Sequence, residues 1–89
     1  MKTNIISVKY EDKYMPKTFS GKAYSYYTSI NVNVGDIVKA PTLYGVSNAL
    51  VTNVNVPEEK VSLFKDKLKT IAIKVDKALF LQDELEDAV

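Results

Sequence analysis

Thr70-Ile71-Ala72-Ile73-Lys74-Val75 is the stretch on which the reading of the fold turns. It alternates, and it is rich in β-branched side chains, which lose rotamer freedom in a helix and fit a pleated sheet. Read this way, residues 70–75 are a strand that closes a sheet. A second template also fits. Val61, Phe64, Leu68, Ile71, Val75, Ala78, Gln82, Leu85 and Val89 follow an a/d heptad with no proline or glycine to interrupt it. That pattern describes one long helix, or a coiled coil. The poor helix propensity of Thr, Ile and Val together favours helix, strand and short second helix over residues 58–89, with the continuous helix as the competing reading.

Towards the N-terminus the period shortens to two. Pro57-Glu58-Glu59 is a helix-start signature, with proline pre-set at the first position and carboxylates at the positive end of the dipole. Val61, Phe64, Leu68 and Ile71 then recur at three and four residues, an amphipathic stripe. Before Pro57, residues 49–56 read as a fourth strand whose alternation changes phase around Thr52 and Asn53, the mark of a bulge. Leu43 to Ser47 reads as a connection that turns at Gly45. Ile37-Val38-Lys39-Ala40 is a third strand ended by Pro41, preceded by a turn at Gly35-Asp36. Lys22 to Thr28 is a tyrosine-rich second strand, with Tyr24 and Tyr26 on one face and Ala23, Ser25 and Tyr27 on the other. Asn4 to Tyr10 is the first strand, with Ile6, Val8 and Tyr10 on one face. The expected architecture is a single α+β domain over residues 1–89: a strongly bent five-stranded antiparallel sheet or SH3-like barrel, a helix between strands four and five, and a C-terminal helix.

Composition narrows the chemistry. The chain has 89 residues and contains no cysteine, histidine or tryptophan, and all twelve of its cationic side chains are lysine. The absence of thiol and imidazole removes most nucleophile, general-base and transition-metal chemistry at neutral pH, so no enzyme, cofactor or metal is expected. Asp76, Asp83, Glu84, Glu86 and Asp87 read as a solvated acidic face, because no glycine-centred loop of alternating carboxylates accompanies them. No apolar run approaches membrane-spanning length and the N-terminus does not read as a signal peptide, so a cytoplasmic location is expected. The net charge of +1 is unevenly spread: residues 1–40 carry +3, residues 41–57 none, and residues 58–89 carry −2. A basic front half suits nucleic acid. The uncharged stretch reads as a central buried strand with its loop.

Lys22-Ala23-Tyr24-Ser25-Tyr26-Tyr27-Thr28, Val34-Gly35-Asp36-Ile37-Val38, Gly45 and Ala49-Leu50-Val51-Thr52-Asn53-Val54 form an ordered pattern. It resembles small uncharacterised proteins encoded by phages and prophages of low-GC Gram-positive bacteria. In that group, Ile71-Ala72-Ile73-Lys74-Val75-Asp76 is similar to a closing strand. Residues 5–56 also bear a distant resemblance to the N-terminal DNA-binding barrel of the primosomal replication-restart helicase. That likeness implies a small barrel and a nucleic-acid partner, but none of its pocket residues is carried over to this chain.

Candidate binding residues follow from tyrosine interleaved with lysine. Tyr24, Tyr26 and Tyr44 supply rings on which unpaired bases stack, and Lys17, Lys22 and Lys39 supply charge for the phosphates. The bland alternative is that one tyrosine face fills the core and the lysines protect sheet edges. Leu79, Phe80, Leu81 and Leu85 form an apolar cluster that one helix face cannot hide, which points to a homo-oligomer. The expected function is a non-catalytic phage or mobile-element accessory protein, a small barrel that binds single-stranded nucleic acid. The rival is a homo-oligomeric protein-interaction module acting on a host enzyme or defence factor.

Overall fold

The computed structural model of the chain describes residues 4–63 and 67–80. Strands β1 (Asn4–Tyr10), β2 (Tyr24–Thr28), β3 (Ile37–Thr42), β4 (Gly45–Asn53), β5 (Thr70–Ile71) and β6 (Ile73–Val75) form one six-stranded sheet in the order β5-β2-β1-β4-β3-β6. The two edge strands are neighbours in the chain, separated only by Ala72. Residues 70–75 therefore cross from one margin of the sheet to the other and draw it into a nearly closed barrel.

This resolves the decisive stretch in favour of β structure, with a correction. Five antiparallel strands were expected. The closing strand is instead two short ones, and β5 runs parallel to β2 while β6 runs antiparallel to β3. Both halves of the segment run in the same sense, and its pairing passes from β2 to β3 at Ala72.

The alternation read from the sequence sets the core. Ile6 and Val8 of β1, Tyr26 of β2, Val38 and Ala40 of β3, Ala49 and Val51 of β4, and Ile71 of β5 pack into one cluster with Val32. Each full-sized aliphatic side chain removed from water in this way contributes roughly 1.5–3 kcal/mol. Thr28 is also buried, and its hydroxyl donates to the Ile71 carbonyl at 2.8 Å, which ties β2 to the closing segment. β4 lies between β1 and β3 as a central strand. The phase change expected at Thr52 and Asn53 is a bulge. Ser7 pairs with Asn53 and Val8 with Val51, so Thr52 is the extra residue, and its hydroxyl donates to the Ser7 carbonyl at 3.2 Å.

Other boundaries move. Pro41 lies inside β3, not after it, and β4 begins at Gly45 instead of Ala49. Only Leu43 and Tyr44 separate Thr42 from Gly45, which pair with each other across a tight hairpin. Gly45 takes φ +120°, a conformation side chains resist, as it leaves that turn. Proline is tolerated in β3 because β6 pairs only with Ile37, Val38 and Lys39, so at Pro41 no ladder bond is lost on that side.

The helix expected after Pro57 is a 3-10 turn over Glu58–Val61. Proline and two acids start a helix as their chemistry demands, yet among the described residues no longer helix follows. Phe64, part of the amphipathic stripe, lies outside them. Residues 77–80 form a helical turn capped by the Asp76 carboxylate, which accepts the Ala78 N–H at 3.0 Å. The rest of the expected C-terminal helix and the acidic run from Asp83 to Asp87 lie outside the described residues. No helix among those described is long and apolar enough to cross a membrane.

Candidate functional site

The closing segment is too short to seal the barrel along its whole height. β5 pairs only with Tyr27 and Thr28 of β2, and β6 only with Ile37, Val38 and Lys39 of β3. Beyond those pairs, residues 24–26 and residues 40–42 face a gap with no described strand between them. This seam opens into a concavity of about 440 Å³ lined by Tyr10, Tyr24, Ser25, Tyr26, Pro41, Thr42, Leu43, Tyr44, Lys67, Leu68 and Lys69.

Strand register brings the aromatic rings together. Val8 pairs with Tyr24, so Tyr10 lies diagonal to Tyr24 on the same face, within reach of a long side chain. The Tyr10 and Tyr24 rings stack at 4.8 Å between centroids and 16° between planes. Tyr26 meets the edge of Tyr10 at 6.5 Å and 73°. Its hydroxyl donates to the Pro41 carbonyl at 2.8 Å, spanning the seam, and is also hydrogen-bonded to the Tyr10 hydroxyl. Burial lifts the Tyr26 phenol well above the usual tyrosine range, helped by the hydrogen bond to Tyr10 and the nearby phenols of Tyr10 and Tyr24. Tyr26 is therefore a neutral donor clamped in the floor. Tyr24 is 43% exposed and Tyr44, at the hairpin tip, is 97% exposed.

The three tyrosines singled out from the sequence thus line one concavity, Tyr24 and Tyr44 openly and Tyr26 from within. The lysines do not join them. Lys39 donates to Asn48 Oδ1 at 2.6 Å in a separate cleft. The Lys17 ammonium sits 4.1 Å from the centre of the Phe80 ring. Lys22 is exposed two residues before β2 and lines neither concavity.

Lys67 and Lys69 occupy the place expected of Lys17, Lys22 and Lys39. Sequence reasoning missed them because they belong to a stretch read as amphipathic helix. Their spacing around Leu68, directly before an alternating strand, was the available signal. Tyr10 was missed as a site residue because it ends a strand whose other inward residues are core.

Of the proposed oligomer cluster, Leu79 is 59% exposed while Phe80 is buried within its own chain beside Phe19, 6.0 Å between ring centres. Leu81 and Leu85 lie outside the described residues.

Compared with known protein families, curated proteins and solved structures, the chain finds no match.

Proposed function

We propose that this protein is a non-catalytic binding module that holds single-stranded nucleic acid in the tyrosine-lined seam. One observation carries the reading: Tyr24 and Tyr44 present open aromatic surface in a concavity whose charged lining residues, among those described, are Lys67 and Lys69. Open rings attract planar bases whatever their sequence, at roughly 1–3 kcal/mol per base stacked. The two ammonium groups favour an anionic ligand and oppose a cationic one, which separates this site from an aromatic cage for quaternary amines.

Fluorescence anisotropy with labelled oligonucleotides across a salt series tests the proposal. Binding is expected to weaken as salt rises, by roughly 0.7 in the logarithm of affinity per tenfold in salt for each phosphate neutralised. No binding at low salt, or binding indifferent to salt, overturns it.

A homo-oligomeric protein-interaction module acting on a host protein is the second reading, and the exposure of Leu79 beside buried Phe80 favours it. Sedimentation showing self-association that Leu79→Ser abolishes would support it. A monomer at high concentration would remove it.

A further inference from the structure

The backbone on the β2 margin of the seam carries information beyond the tyrosine rings. The Tyr27 N–H donates to the Lys69 carbonyl at 2.9 Å, so Tyr27 turns its peptide groups towards β5. Peptide groups along a strand alternate in side with period two. Ser25, two residues earlier on β2, therefore turns its own N–H and C=O to the same side. There β5 has not yet begun and the concavity opens, lined by Ser25 and by residues 67–69 that lead into β5. Among the described residues no hydrogen bond is made to either group on that side. On the opposite margin the corresponding position is Pro41, which has no N–H and whose carbonyl already accepts from Tyr26. The seam thus offers one donor and one acceptor, side by side, on β2 alone. An added peptide strand would find few partners there. A single planar group with one matching donor–acceptor edge fits better.

We infer that the seam is a slot for one unpaired base, stacked on the free face of Tyr24 and hydrogen-bonded along its pairing edge to the Ser25 N–H and C=O. This rests on the nucleic-acid reading above and specifies how that site selects its ligand. Every nucleobase carries a donor beside an acceptor on its pairing edge, so the slot tolerates any sequence. In a duplex that edge is occupied by the partner base, so the slot refuses double strands. The stack already formed by Tyr10 and Tyr24 extends by one ring. Tyr44, on the two-residue hairpin turn, lies at the mouth of the same concavity. Lys67 and Lys69 flank the slot where the phosphates on either side of the bound base would run.

Three ligands of equal length test this on the unmodified protein: a 16-residue oligothymidine, the same strand with every base methylated at N3, and an abasic strand of the same phosphate count. N3 methylation keeps the ring and its stacking surface but removes the donor and blocks the pairing edge. The expected order is oligothymidine tightest, the methylated strand about tenfold weaker because the Ser25 groups are left unpaired, and the abasic strand weaker still. Equal affinity for the methylated and plain strands overturns the slot and leaves nucleic-acid binding standing. Failure of the plain strand to bind at low salt overturns both.

Discussion

Two concavities of nearly equal volume, about 440 Å³ and about 410 Å³, sit on this barrel, and their linings differ in kind. Among the described residues the seam is aromatic and apolar, with two lysines. The second cleft is lined by Glu11, Asp12, Lys13, Pro16, Lys39, Val46, Ser47 and Asn48. There Lys39 donates to Asn48, whose amide donates to Glu11 Oε1 at 3.1 Å, and the other Glu11 oxygen accepts the Lys17 N–H at 2.8 Å. The Asp12 carboxylate accepts the Tyr14 N–H at 2.8 Å and folds its own loop. Lysine is present in both places, but in the cleft Lys39 is held by an amide that a carboxylate holds in turn. In the seam lysines line an open aromatic surface. A cation marks a binding site by what surrounds it, and a count of lysines along the chain does not distinguish the two cases.

The seam depends most on the clasp beneath it. Ile71 is fully buried and holds the two-residue β5 against β2. Ile71→Ala is expected to lower the unfolding free energy by about 3 kcal/mol in urea titrations. A loss below about 1 kcal/mol would mean that the closing segment is not part of the core. The next effect concerns binding. Tyr24→Ala should weaken oligonucleotide affinity by about tenfold to a hundredfold, from the loss of one stacked base. Lys39→Ala, in the cleft, should leave affinity within about twofold, and the opposite ranking would reverse the assignment of the two concavities.

Tyr26→Phe removes the hydroxyl that spans the seam and should cost about 1 kcal/mol. It also carries a pH signature. The folded state raises the Tyr26 pKa above the unfolded value, so it favours the neutral phenol. The resulting stability is fully present below about pH 10 and is lost as pH climbs through and beyond that value. Unfolding followed at pH 9 and pH 11 should show the wild type losing more than the variant. Equal losses would place the phenol in water. The smallest effect is electrostatic: Lys67→Gln should flatten the salt dependence of single-strand binding by roughly 0.7, one phosphate contact, with little change in stability.

Much of the barrel was legible in single residues. Ile6 and Val8 were set on one face of β1 by alternation alone and they are core, whereas Tyr26, read as a ring for base stacking, is core as well. Thr52 announced its bulge because an extra residue shifts every later side chain to the opposite face. Residues 70–75 announced a strand through β-branching. Their division at Ala72 was not legible, because it depends on two strand edges distant in sequence. Among the described residues the helix expected after Pro57 is one 3-10 turn, for a related reason. Pro57, Glu58 and Glu59 specify how a helix begins, but how far it runs depends on whether its next turn has something to pack against. The candidate site was half legible. Tyr24, Tyr26 and Tyr44 were recognised as a group, while Tyr10, Lys67 and Lys69 join them only through strand register and closure.

What the chain by itself determined is local: inward and outward faces, turn positions, the bulge, and an inventory of phenols and amines that lacks thiol and imidazole. These follow from side-chain period and backbone sterics, which act between near neighbours. Tertiary structure alone decided where the described strands leave a seam, which lysines line it, and which one is hydrogen-bonded to Asn48 in the cleft. Those outcomes arise from strand ends meeting across long stretches of chain, and no local rule records where two such ends will stop short of each other.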